Sequence, residues 1–219
     1  MPDAATDLAF RIEGAATVPY AASPAIAFAV RATSAEPSAT VQSALLRCQI
    51  HVEASTRAYS DAELDRLRDV LGEARVRGRA SGRILWAQTT AVVPGFAGEV
   101  VFDVHAPCTF DLAVASSRYF HALDGADVPV AMLFSGTVFH ADPDGALRAA
   151  PVPWSSEARF SMPTRVWKEC VEHHYAGRAA LPLSRDVFDR LQRYKARAGL
   201  ATWEQAIDRL LPPEEGGPR

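Results

Sequence analysis

Two hydrophobic periods divide the chain. Up to Met162, apolar and polar side chains alternate in short runs, the period of half-buried strands. Phe10 and Ile12 fall on one side of a first run, with Arg11 and Glu13 on the other. Ile26, Phe28 and Val30 share a face of a second; Leu46, Cys48 and Ile50 share a face of a third, over Val41–Val52. Between these two, Thr33–Ala39 with Pro37 reads as a loop. The same reading predicts strands over Ile84–Val93, through Val100, Phe102 and Val104, and over Phe110–Val114 and Arg118–His121. It continues through Val130–His140, Ala146–Ala149 and Glu157–Ser161, with turns at Pro94-Gly95 and Asp142-Pro143-Asp144-Gly145.

Helical spacing interrupts this pattern once and then replaces it. Ser60 with Glu63 forms a capping box ahead of the stripe Leu64, Leu67 and Leu71, and Gly72 is the expected stop. After Pro163, which suits a first helical position, Val166, Trp167, Cys170, Val171 and His174 make one stripe ending at Gly177. Ser184 caps a second helix, with Val187, Phe188, Leu191 and Tyr194 as its expected buried face and Gly199 as its stop. Thr202 and Gln205 box a third, with Trp203, Ala206, Ile207, Leu210 and Leu211 on one side.

Strands first and helices last predict a mainly β (α+β) fold: an antiparallel β-sandwich or open barrel with one inserted short helix and a C-terminal three-helix segment. Residues 1–162 form the expected sandwich domain, with the helical insertion at about 60–72. Residues 163–211 form the helical segment packed on it, and 212–219 a disordered tail. Helices this short are marginal alone, so their stripes must dock on something.

Composition narrows the function classes. The chain has 219 residues, a net charge of −3 and a charged fraction of 22%, which argues against broad nucleic-acid binding. No apolar run reaches membrane-spanning length, so no membrane insertion is expected. Met1 to Leu8 has no export-signal features and the three cysteines, Cys48, Cys108 and Cys170, show no pairing spacing. Both point to free thiols and a cytoplasmic protein.

Candidate chemistry is sparse. Cys170, His173 and His174 lie on one side of a helix, and thiolate with imidazole suits a transition metal. A packed thiol and a buried, hydrogen-bonded histidine account for the same pattern. Cys48 and His51, three apart on a strand, diverge. Asp103 and His105 share a strand face and could orient one another for base chemistry, or simply face solvent. Arg75, Arg77, Arg79 and Arg83 could grip an anion, although the acidic helix beside them nearly cancels their charge. Asp142, Asp144 and Gly145 read as a turn, not a calcium loop. Trp154 and Trp167 are candidate partner-binding anchors. There is no P-loop, dinucleotide fingerprint, nucleophile elbow or zincin motif. No catalytic residue and no cofactor are therefore predicted.

Leu133-Phe134-Ser135-Gly136-Thr137-Val138-Phe139, Pro151-Val152-Pro153-Trp154 and the stretch Phe188 to Leu211 together resemble a bacterial domain family often encoded beside uptake nickel–iron hydrogenases and their maturation proteins. The segment Tyr175 to Leu183 departs from that family's aromatic-proline-glycine turn and following tryptophan. The resemblance implies a non-catalytic accessory or interaction module whose protein partners are hydrogenase or maturation factors. A homo-oligomer is compatible with it. The alternative reading is a metal-binding protein or metal-dependent enzyme using Cys170, His173 and His174.

Overall fold

The computed structural model describes residues 7–36, 40–76, 82–109, 115–142, 144–175 and 183–212. The expected strand at Phe110–Val114, the arginines Arg77 and Arg79, the helix stop at Gly177 and the tail from 213 onward lie outside them.

Strands dominate, and every pairing is antiparallel. β1 (Leu8–Thr17), β2 (Ala25–Ser34) and β6 (Glu99–Pro107) form one sheet in the order β1-β2-β6. β3 (Thr40–Glu53), β4 (Arg83–Val93), β7 (Asp127–Ala141) and β8 (Leu147–Pro163) form the other in the order β4-β3-β7-β8, and the two-residue β5 (Phe96–Ala97) pairs with β3. β1 runs alongside β8 and β4 alongside β6, so the two sheets enclose one core. The alternation sets which face turns inward. Ile26, Phe28, Val30 and Ala32 of β2 are wholly buried, as are Leu46, Cys48, Ile50 and Val52 of β3 and Val128, Val130 and Met132 of β7. Phe10 stacks on Phe134 across the core at 4.2 Å, and Phe28 meets Phe160 edge-on at 6.5 Å.

The turns behave as their chemistry dictates. The Asp142 carboxylate accepts the N–H groups of Asp144 at 3.1 Å and Ala146 at 2.8 Å, closing the β7–β8 hairpin. Gly136, within the sequence that carries the family resemblance, sits at φ +150° against β3. A Cβ there would lie 2.1 Å from the Leu45 carbonyl oxygen, so only glycine lets the strands approach.

Two strand expectations need correction. Arg118–His121 is the end of a helix, α2 (Ala115–His121), not a strand. Tyr119 and Phe120 are both fully buried; a strand would send these neighbours to opposite faces, whereas one helical side takes both with Ser116 and Ser117. The segments at Ala146–Ala149 and Glu157–Ser161 are one strand, β8, which runs through Pro151 and Pro153. β8 is an edge strand, where a missing N–H can be tolerated.

The inserted helix α1 (Asp61–Val76) breaks at Gly72, whose φ of 69° and ψ of 157° are not helical. The box forms: Glu63 N donates to Ser60 Oγ at 3.2 Å and Ser60 N to Glu63 Oε2 at 3.0 Å. α3 (Thr164–Tyr175) starts directly after β8 and packs against β1, β2 and β8.

The chain divides into two compact units, Met1–Ala180 and Leu181–Arg219. α3, grouped by sequence with the C-terminal helices, thus belongs to the β unit. The second unit holds α4 (Arg185–Arg197), capped by Ser184, and α5 (Trp203–Asp208), with the Thr202–Gln205 capping box in place. Gly199 follows α4 at φ 64°. Among the described residues, no helix is long and apolar enough to cross a membrane.

Candidate functional site

Helix α3 separates the residues that looked most like chemistry. Its stripe turns inward as the spacing requires: Thr164, Val166, Trp167, Cys170 and Val171 are buried. Trp167 is 2% exposed. It stacks on Phe120 at 5.2 Å and meets His121 edge-on at 4.8 Å. Trp86 continues this aromatic string, 4.9 Å from Phe120 and 5.8 Å from Phe28. The surface role expected of Trp167 is therefore corrected: an indole packed among aromatic rings belongs to the core. Trp154 lies in β8, where the β7 register skips from Phe134–Ser156 to Gly136–Val152; its side chain is outside the described residues.

Cys170, His173 and His174 do not converge. The Cys170 thiol points into the unit and donates to the Ala25 carbonyl oxygen at 3.4 Å. His173 is exposed. His174 Nδ1 lies 2.9 Å from the Cys170 carbonyl oxygen and Nε2 3.3 Å from that of Ala21. Among the described residues, no three His, Cys, Asp or Glu side chains gather in a way that could hold a metal.

The fold instead brings Cys108 to Cys170. Cys108 follows β6, whose last residue, Pro107, is paired with Ala25 of β2. Its backbone N–H donates to the Pro24 carbonyl oxygen at 2.8 Å. The Cys108 thiol donates to the Ala106 carbonyl oxygen at 3.9 Å, so each thiol bonds to a backbone carbonyl. The nearby Cys108 side chain favours the Cys170 thiolate; burial opposes it, His174 helps, and the Cys170 thiol ends below its ordinary value. Cys170 nearby and burial push the Cys108 thiol up. Cys48, in the core, is pushed up to about 12 by burial. Sequence reading missed Cys108, because the strand register and the crossing of α3, not spacing, create the pair.

A hollow of about 710 Å³ lies along α3, with Trp167, Val171 and Tyr175 as its apolar part and His121, Lys168 and Glu172 as its polar part. Burial and Lys168 together push His121 below its ordinary value. A second cluster that spacing did not reveal joins the α1 insertion to β7. Arg57 Nη2 donates to Glu63 Oε1 at 2.9 Å, Arg57 Nε to the Asp127 carbonyl oxygen at 3.1 Å, and the Tyr59 and Tyr119 hydroxyls meet at 2.7 Å.

The remaining sequence candidates are structural. His51 turns to Gln49 on the outer face of β3 at 3.3 Å, away from buried Cys48. Asp103 and His105 are exposed. Arg83 is bonded to Glu53 at 2.8 Å and Glu157 at 3.1 Å.

The expected buried face of α4 is not buried. Among the described residues α4 buries none of its own, and in α5 only Ala206 is buried. Val187 is 43% exposed, Phe188 39%, Trp203 39%, Ile207 38%, Leu210 56% and Leu211 59%. Phe188 and Trp203 lie 5.3 Å apart, and Lys195 covers the Trp203 ring at 5.4 Å. The face is too broad for one pair of short helices to close over.

A family model described as "Family of unknown function (DUF6084)" matches residues 5–218. No curated protein matches the chain. Among solved structures, one from Bordetella pertussis assigned as ApaA is 14% identical, with 72% of this chain and 94% of that one covered at a TM-score of 0.27. Beta-glucosidase 3B of Thermotoga neapolitana, solved with alpha-D-glucose, is 10% identical at a TM-score of 0.27; the match covers 70% of this chain and 17% of the glucosidase. Superpositions this loose add nothing about this chain.

Proposed function

We propose that this chain, which belongs to the DUF6084 family of unknown function, is a non-catalytic cytoplasmic protein-interaction module that binds through its α4–α5 unit. The observation that carries this reading is the uncovered apolar face of Val187, Phe188, Trp203, Ile207, Leu210 and Leu211. Short helices draw most of their stability from burying such a face. Each large side chain fully covered contributes roughly 1.5–3 kcal/mol. Contiguous apolar residues left in water mark interaction surfaces, and their aromatic members are the usual anchors. The absence of a catalytic motif from the sequence agrees with a binding role. The resemblance to proteins encoded beside nickel–iron hydrogenases supplies the partner class: a hydrogenase subunit or a maturation factor.

Affinity purification of the full chain from a host that makes such a hydrogenase tests this. Hydrogenase or maturation proteins are expected to co-purify. The double variant Phe188→Asp, Ile207→Asp is expected to lose them while its melting temperature stays within about 2 °C of wild type, as for exposed substitutions away from a packed core. Failure to recover any of these proteins counts against the reading. So does undiminished recovery by the variant.

A further inference from the structure

The apolar face of α4 has a charged border. A groove of about 300 Å³ lies between α4 and the turn after α5, with Val187, Leu191, Tyr194 and Leu210 as its apolar lining and Arg190 at its edge. Val187, Leu191 and Tyr194 follow helical spacing. Arg190, Arg193 and Arg197 follow the same spacing beside them, so a row of cations runs along the stripe for two turns, about 10 Å. α4 carries Arg185, Arg190, Arg193, Lys195 and Arg197 against Asp186 and Asp189, in a chain of net charge −3. Arg185 is paired with Asp189 at 3.2 Å and Arg190 with Asp186 at 3.9 Å. Arg193 and Arg197 are exposed, and among the described residues neither has an ion pair.

Charge decides what covers this face. A second copy laid antiparallel on it would set the row of arginines against itself, which repels. An anionic lipid surface calls for clusters of about four to eight basic residues, whereas Arg185 and Arg190 are already held by acids of α4 itself. A lipid surface is also flat where the groove is concave. An acidic amphipathic helix satisfies both features: its apolar side chains enter the groove, and carboxylates beside them meet the arginines.

We propose that the α4–α5 groove takes an amphipathic helix of a partner protein that carries acidic residues along one flank of its apolar stripe, opposite Arg190, Arg193 and Arg197. This rests on the reading that the α4–α5 unit binds a protein, and it adds the chemistry of the segment that docks. Apolar contact supplies the affinity, and the arginine row selects among apolar helices.

The test is fluorescence anisotropy of labelled helical peptides titrated with the full chain. The peptides share one stripe of leucines and differ only along its flank, which carries Glu, Gln or Lys. The Glu peptide is expected to bind about tenfold tighter than the Gln peptide, the worth of two or three rim ion pairs, and the Lys peptide to bind most weakly. Added salt is expected to narrow the gap. Arg193→Gln, Arg197→Gln is expected to shrink the preference and Arg193→Glu, Arg197→Glu to invert it, with melting unchanged because both side chains are exposed. Equal binding of the peptides, a preference that survives charge reversal, or no peptide bound would each overturn the proposal. So would capture of the chain by vesicles of phosphatidylcholine and phosphatidylglycerol that the arginine variants abolish, or a dimer of the chain that Phe188→Asp, Ile207→Asp dissolves. Host proteins that co-purify with wild type and not with Phe188→Asp, Ile207→Asp would still support a binding role after any of these results, so the two readings fail separately.

Discussion

Replacing Glu63 by Gln tests whether one buried ion pair holds the α1 insertion to the sandwich. Arg57 Nη2 and Glu63 Oε1 are 2.9 Å apart, and the two side chains are only 4% and 6% exposed. The N–H groups of Ser60 and Asp124 each donate to the same carboxylate at 3.0 Å. Burial works against the charge on Glu63, but the bonds from Arg57 and the two backbone groups outweigh it and hold the carboxyl at about 2, against an ordinary 4.5. A carboxyl depressed in the folded state stabilises fully above its unfolded value and loses that stabilisation as pH falls through its folded value. The depression corresponds to about 3 kcal/mol at pH 7, about 1.4 kcal/mol at pH 3 and about 0.4 kcal/mol at pH 2. Glu63→Gln keeps the shape and removes the charge. What remains to Arg57 among the described residues is neutral: the Asp127 carbonyl oxygen and the face of the Tyr59 ring, 4.9 Å away. Breaking such a pair from one side costs about 3–5 kcal/mol. Urea unfolding followed by tryptophan fluorescence measures the gap between wild type and variant. The gap is expected to be about 3 kcal/mol or more at neutral pH and to narrow by about 2 kcal/mol at pH 3. A gap below about 1 kcal/mol at pH 7, the level of an exposed pair, would refute the reasoning. An equal gap at both pH values would refute the electrostatic part of it.

Two further outcomes follow from the geometry. Gly136→Ala places a Cβ 2.1 Å from the Leu45 carbonyl oxygen, so β3 and β7 must separate; thermal melting is expected to show a loss of about 3 kcal/mol or more, or no folded protein, and a variant as stable as wild type would contradict the close approach. For the metal reading, Cys170 and His174 are turned to backbone carbonyl oxygens and His173 faces outward. Elemental analysis of protein purified without chelators is therefore expected to find zinc, nickel and iron well below one equivalent, unchanged in His174→Ala; a full equivalent lost in that variant would restore the metal site.

The strands were legible because each carries its own test. A run such as Ile26, Phe28, Val30 allows one orientation, and the partner that buries it lies in the same chain. Arg118–His121 failed because four residues are too few to separate periods, and two adjacent buried aromatics break alternation without announcing a helix. The prolines at 151 and 153 hid the continuity of β8, since a strand can carry them only at an edge and sequence does not give strand order. For the candidate site, Cys170 was legible as an inward position on its stripe. Cys108 was not, because nothing in its neighbourhood encodes the register that sets Pro107 opposite Ala25.

Helical stripes are a weaker kind of statement. Trp167 and Phe188 sit on equally regular stripes, yet one is 2% exposed and the other 39%. The difference lies in what each helix is tied to. α3 starts directly after β8, and Thr164 at its head donates to the Ala126 carbonyl oxygen beside β7, so its stripe meets the sheets. α4 begins from a side-chain cap, and its neighbour in its own unit is the six-residue α5. A stripe states that a surface must be covered; only a neighbour can say by what. In this chain the sheets provide that neighbour for α3, whereas within its own unit α4 has too little apolar surface facing it. That imbalance is the ground on which the proposed binding role falls to the second unit.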